Sequence, residues 1–240
     1  MNKSNLLLKG MISIAIFTLF AVLGMLHLGV EYSDTNFAAL WYPYEIFLAL
    51  TAIVLWYVLL RKDIPLNFSI DFNKDFFITL PIVLIPLLLL VYVLFTSETL
   101  ENEKLAMFFA TAVAVGIAEE LMFRVAGYRV LLATGSSVKK AILLSALLFS
   151  LFHLSNIAAG QGIAIMGQLA ITFMMGVVLA YIYYRTESIL YVIIIHFMWD
   201  LSLFIVTAFT NADSLLNAVS IPIVIGYFTW AIINVLKLKK

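Results

Sequence analysis

The chain has 240 residues, of which 64% are hydrophobic and only 12% are charged. A soluble domain carries roughly 45–50% apolar and about 25% charged residues, so a water-soluble globule is excluded and lipid must solvate much of the surface. The net charge is zero and there is no cysteine. We therefore expect no nucleic-acid partner, no disulfide, no thiolate metal site and no cysteine nucleophile.

Eight stretches are apolar and long enough to cross a bilayer, which needs about 20 residues per helix. In chain order they cover residues 10–30, 38–60, 76–96, 105–132, 138–159, 163–184, 189–210 and 215–236. The first stretch has neither the short apolar core nor the small-residue cleavage site of a signal peptide, so we expect a retained helix. The predicted fold is all-α, a polytopic bundle of about eight transmembrane helices that forms a single domain over residues 1–240.

The basic residues of the loops predict the orientation, because cytoplasmic loops carry an excess of Lys and Arg. With eight helices, the side that holds both termini carries most of them: Lys3, Lys9, Arg61, Lys62, Lys74, Lys139, Lys140, Arg185, Lys237, Lys239 and Lys240. The other side carries only Lys104, in an acidic loop that begins near Glu98. We therefore expect an integral protein of the cell membrane, surrounded by lipid, with both termini in the cytoplasm.

Six ionisable side chains lie well inside predicted helices, where a charge costs roughly 2.5–3.5 kcal/mol on insertion scales. They are Glu119, Glu120 and Arg124 in the fourth helix, His153 in the fifth, and His196 and Asp200 in the seventh. Hydrocarbon cannot satisfy such groups, so they must face each other or water. Since they lie at comparable depth, we expect three helices to converge on one water-accessible site.

Helical spacing separates the roles of the two adjacent glutamates. At about 100° per residue, Glu120 and Arg124 are offset by about 40°, whereas Glu119 and Arg124 are offset by about 140°. We therefore expect a structural ion pair between Glu120 and Arg124, with Glu119 left to act as a general base in a cavity. His196 and Asp200 share a helix face, so this carboxylate can orient or charge the imidazole.

Three short motifs in these helices have the order and spacing of a known family. They are Glu119-Glu120-x-x-x-Arg124, Phe149-x-x-x-His153 and His196-x-x-x-Asp200. Together they resemble the CAAX protease and bacteriocin-processing family of intramembrane endopeptidases, over about residues 105–205. One departure is Glu187, which stands where the family frequently has Gly.

The resemblance implies that Glu119 activates water, that His153 is a second catalytic histidine, and that His196 and Asp200 stabilise the oxyanion. The family is also labelled metalloprotease, so the resemblance leaves open a Zn²⁺ ion held by His153, His196 and Glu119 in place of a cofactor-free site. The implied substrate is a membrane-associated peptide or a lipidated protein. We expect its cleavage near the inner side of the membrane.

Two other function classes remain alternatives on the residues alone. A non-catalytic immunity or scaffold protein could retain the same motifs, and an ion-coupled transporter also places acids and histidines inside the membrane. A transporter more often shows broken helices and paired repeats, which the sequence lacks. Among protease chemistries, a His-Glu-x-x-His zinc site is absent, and only one aspartate lies inside a predicted helix. The sequence therefore favours a glutamate-dependent intramembrane endopeptidase.

Overall fold

The computed structural model describes residues 2–29, 34, 37–97, 101–209 and 213–238, without the side chains of 213–218. In chain order its long helices are α1 (Lys3–Leu28), α2 (Phe37–Leu60), α3 (Lys74–Thr96), α4 (Asn102–Ala133), α5 (Val138–Ala159), α6 (Ile165–Thr186), α7 (Ile189–Phe209) and α8 (Asp213–Lys237). Within the described residues, eight helices are long and apolar enough to cross a membrane. The predicted all-α membrane bundle is therefore confirmed, whereas Glu98, Lys239 and Lys240 lie outside the described residues.

Polar caps set several helix boundaries. The side chains of Asn2 and Asn73 accept hydrogen bonds from backbone N–H groups of the following turn, which satisfies donors that have no partner within the helix. The first helix therefore begins at Lys3, earlier than the predicted residue 10. At the end of α6, Glu187 takes a left-handed φ of 53°, a conformation that glycine adopts without steric cost.

Two helices depart from regular α geometry beside the conspicuous polar residues. In α4, Leu121–Arg129 is π-helical and begins directly after Glu120. In α5, the last residues, His153–Ala159, tighten into a 3₁₀ turn. π-Helical turns are rare and frequently lie at functional sites, so the segment after Glu120 marks this part of α4 as a candidate site.

The fourth helix lies at the centre of the bundle, where it packs against α2 and α7. Gly116 permits the close approach to α7, because a Cβ atom at this position would lie 3.2 Å from the carbonyl oxygen of Ile193 and 3.4 Å from the backbone nitrogen of Phe197. Gly116 precedes Glu119 by about one helical turn, as Ile193 precedes His196. The contact therefore places the first and third motifs face to face.

Two ion pairs between helix ends lie at one end of the bundle. Lys9 of α1 pairs with Asp63, after α2, at 3.0 Å. Arg185, at the end of α6, pairs with Asp75 in the first turn of α3 at 2.8 Å. We refer to the end defined by these two pairs as the basic end.

Two hydrogen bonds join further helix ends on the side predicted to be cytoplasmic: the starts of α5 and α7 and the end of α8. The Lys139 ammonium, at the start of α5, donates to the carbonyl of Leu236, near the end of α8, at 3.5 Å. The backbone N–H of Ile189, which begins α7, donates to the carbonyl of Asn67 at 2.9 Å. At the opposite end, Lys104 lies 5.8 Å from the ring centroid of Phe209.

Candidate active site

A cavity of about 510 Å³ lies inside the bundle, with walls from α1, α2, α4, α5, α6 and α7. The four residues predicted to be catalytic, Glu119, His153, His196 and Asp200, all line this cavity. The structure thus brings α4, α5 and α7 together at one polar site, whereas the catalytic roles remain predictions. Most of the other lining side chains are apolar or aromatic, including Phe149.

The ion pair predicted from helical spacing is present. Nε of Arg124 lies 2.9 Å from Oε2 of Glu120, and Nη2 of Arg124 donates to Oε1 of Glu120 at 3.1 Å. Both side chains are fully buried, and the guanidinium carbon lies 4.9 Å from the ring centroid of Phe149. Each charge therefore compensates the other in a place that water does not reach, and the pair adds no net charge beside the cavity.

Glu120 also contacts the imidazole of His196, which the sequence analysis did not predict. Nδ1 of His196 lies 2.8 Å from Oε1 of Glu120, and because a carboxylate accepts, Nδ1 carries the hydrogen in this bond. Asp200, which was predicted to orient or charge the ring, faces the other ring nitrogen, since its Oδ2 lies 3.5 Å from Nε2.

The second nitrogen of His196 faces the cavity between two carboxylates. Nε2 lies 3.6 Å from Oε2 of Glu119 and 3.5 Å from Oδ2 of Asp200. Both distances exceed those of a normal hydrogen bond, which run to about 3.2 Å for N–H···O. Nε2 is therefore attracted to both carboxylates without a normal hydrogen bond to either, and it remains available to a third group in the cavity.

The ring of His153 is fixed by the backbone of its own helix. Nδ1 of His153 lies 2.9 Å from the carbonyl oxygen of Phe149, so Nδ1 donates and Nε2 of the neutral ring is an acceptor. The ring of Phe149 separates the two histidines, with its centroid 5.1 Å from that of His153 and 5.8 Å from that of His196. The second motif therefore faces the same space across one aromatic ring.

A third carboxylate of the cavity, Glu45 of α2, was missed by the sequence analysis. Glu45 is only 7% exposed and lines the cavity. Trp41 donates its indole N–H to Oε1 of Glu45, while Oε2 has no hydrogen-bond partner among the described residues. The available signal was a single acid inside a predicted span, one turn after a tryptophan.

Uncharged polar groups lie farther along the same cavity. Asn156 donates its amide to Gln168 at 3.0 Å. The hydroxyl of Ser155 and Oε1 of Gln161 are buried without a hydrogen-bond partner among the described residues. Buried polar atoms usually have partners, so these two mark positions where a bound molecule or water would be hydrogen-bonded.

The three residues that were predicted as alternative Zn²⁺ ligands line the same cavity. Within the described part of the chain, no three His, Asp or Glu side chains form a group that could hold a metal ion. His153, His196 and Glu119 line one cavity without forming such a group. The arrangement of these residues therefore does not fit the Zn²⁺ alternative.

The segment that carries the site is similar to a known protein family. The model of the family described as Rce1-like, type II CAAX prenyl endopeptidase, matches residues 101–202. No curated protein and no solved structure matches the chain significantly. The matched segment contains all three motifs, so that over residues 101–202 this chain is similar to the Rce1-like CAAX prenyl endopeptidases, and the resemblance predicted from the motifs is confirmed for this segment.

Proposed function

We propose that the protein is an intramembrane endopeptidase in which Glu119 activates the water that hydrolyses a peptide bond. One observation carries the proposal: Nε2 of His196 faces a cavity beside both Glu119, at 3.6 Å, and Asp200, at 3.5 Å. The Glu119 carboxylate, as proton acceptor, and the His196 Nε2–H, as hydrogen-bond donor, are thus adjacent in the cavity. The family match, which points to a protease, supports the same conclusion.

In the first step, water gives a proton to Glu119. Oε2 of this carboxylate is buried and has no hydrogen-bond partner among the described residues, so it is free to accept. Nε2 of His153 accepts the second O–H of the same water and thereby orients it. The hydroxide that remains attacks the carbonyl carbon of the substrate, and Glu119 is left protonated.

In the second step, His196 stabilises the oxyanion. Its Nδ1–H is held by Glu120, so its Nε2–H is aimed into the cavity, where it donates to the carbonyl oxygen as negative charge develops there. Asp200 stabilises the imidazolium. Removing one donor of this kind typically lowers kcat by roughly 10²–10³. When the C–N bond breaks, the leaving amine takes the proton from Glu119, and the products are a carboxylic acid and an amine.

The remainder of the cavity is suited to an extended apolar peptide. Its apolar wall can receive hydrophobic side chains, while the unpartnered oxygens of Ser155 and Gln161 can accept hydrogen bonds from backbone N–H groups. We propose a membrane-associated peptide or a lipidated protein as the substrate. A prenylated CAAX protein is the substrate class that the family match suggests.

The test compares the wild-type protein with Glu119→Gln in membranes, by mass spectrometry of all new peptide termini. Glu103→Gln is the matched control, because Glu103 is an exposed carboxylate in the first turn of the same helix. New termini that appear with the wild type and with Glu103→Gln, but not with Glu119→Gln, support the proposal. Identical termini in all three samples would contradict it and favour the scaffold alternative.

A further inference from the structure

The cavity occupies only the half of the bundle that lies away from the basic end. Its catalytic residues lie near the middle of their helices, and its other lining residues continue towards the opposite ends. These include Met25 near the end of α1, Phe37 at the start of α2, Gln168 near the start of α6 and Phe204 near the end of α7. By contrast, the helix ends that meet at the basic end contribute no lining residue.

Tightly packed side chains close the route from the site to the basic end. Phe123 and Arg124 are fully buried, and Tyr128 and Tyr183 are each 2% exposed. The two tyrosine rings pack edge to face with their centroids 5.8 Å apart. Water and substrate therefore cannot reach Glu119 from the basic end without unpacking this layer.

The mouth of the cavity lies beside the start of α6. Its lining residues Ala164, Gly167 and Ile171 are exposed. Next to them, Ile163 is 89% exposed and Met166 is 62% exposed. Large apolar side chains with this exposure are solvated by lipid tails at low cost, so the mouth adjoins the membrane leaflet opposite the basic end.

Lys and Arg are enriched in cytoplasmic loops, so the basic end is cytoplasmic and the cavity faces the other side. We propose that the active site is loaded from the extracytoplasmic side of the membrane, and that its substrate is the extracytoplasmic or outer-leaflet segment of a membrane-associated peptide. The substrate class rests on the proposed function, whereas the side of access does not. This route differs from the sequence-based expectation of cleavage near the inner side, and it favours a peptide or lipidated protein of the outer leaflet over a prenylated CAAX protein of the inner leaflet.

Single cysteines test the side of access cleanly, because the chain has none of its own. The variants are Ala164→Cys at the mouth, Thr172→Cys on the cavity wall and Lys62→Cys at the basic end as the control. Cells that express each full-length variant are treated with a charged, membrane-impermeant maleimide, before and after permeabilisation. We expect Ala164→Cys and Thr172→Cys to react in intact cells, and Lys62→Cys to react only after permeabilisation.

The reverse pattern, in which Lys62→Cys reacts in intact cells and the cavity cysteines do not, overturns the proposed access. Failure of Thr172→Cys to react even after permeabilisation also overturns it, because the cavity would then exclude water. The same labelling is repeated in a Glu119→Gln background, where it should be unchanged. Outside labelling without any cleavage by the parent chain supports the access route and contradicts the proposed function, so the two failures are distinguishable.

Discussion

Nδ1 of His196 lies 2.8 Å from Oε1 of Glu120, and this contact joins α7 to α4. The carboxylate of Glu120 also pairs with Arg124, so it serves two partners. It compensates a buried cation, and it fixes the imidazole so that Nε2 faces Glu119 and Asp200. Support of this kind commonly sets the tautomer and the direction of a functional histidine.

The first prediction concerns the ion pair. Arg124→Ala should lower the amount of folded protein in the membrane, because it leaves Glu120 charged and buried at a cost of roughly 3–5 kcal/mol. Size-exclusion chromatography of a fluorescent fusion measures this amount. Arg185→Ala is the control, since the Arg185 side chain is 44% exposed and its partner Asp75 is only partly buried. Equal losses in the two variants would count against a structural role for the buried pair.

Removing both charges separates stability from catalysis. In the double variant Glu120→Gln with Arg124→Met, no uncompensated charge is buried, so the amount of folded protein should recover towards the wild-type level. Cleavage should stay low, because His196 loses the anion at Nδ1. Full recovery of cleavage would show that Glu120 serves Arg124 alone.

The second prediction ranks two carboxylates of the cavity. Glu119→Gln should lower cleavage by about 10²–10⁴, the usual contribution of a general base, at a near-normal level of folded protein. Glu45→Gln should lower cleavage by about tenfold or less, the effect of a charge that acts through space by roughly 1 kcal/mol. Initial cleavage rates in proteoliposomes measure both. A larger loss for Glu45→Gln than for Glu119→Gln would indicate that Glu45, and not Glu119, is the general base.

Composition and helical period predicted the eight helices and the Glu120–Arg124 pair because both depend on local spacing. The contact between Glu120 and His196 depends instead on how closely α4 approaches α7, which the period of a single helix does not encode. Glu45 was overlooked because it belongs to no motif. The first helix begins at Lys3 because the side chain of Asn2 caps it, a polar signal that an apolar-length criterion does not consider.

The third prediction concerns the left-handed residue after α6. Glu187→Gly should stabilise the protein by about 1 kcal/mol, because Glu187 has a φ of 53° and an L-residue pays roughly 1–2 kcal/mol there. The gain is reduced by the greater freedom of glycine in the unfolded chain. Thermal unfolding in detergent measures it, with Glu187→Ala as the control that keeps the Cβ atom. Stabilisation by Ala as large as that by Gly would point to the charge rather than the backbone.

The last prediction tests whether the spacing of α4 and α7 sets the geometry of the site. A Cβ atom at Gly116 would lie 3.2 Å from the carbonyl oxygen of Ile193, and a backbone atom cannot turn aside as a side chain can. Gly116→Val should therefore push α7 away and increase the distance from Glu119 to His196. Since a displacement of about 1 Å can cost roughly 10²-fold in rate, cleavage should fall by about that factor.

Gly226→Val in α8 is the matched control, because nothing lies within 4 Å of a Cβ atom there. Folded protein is quantified for both variants, so that a loss of rate per folded molecule is separated from a loss of protein. Wild-type rates in Gly116→Val would mean that the active site tolerates a wider separation of the two helices, and the oxyanion role of His196 would then be untenable.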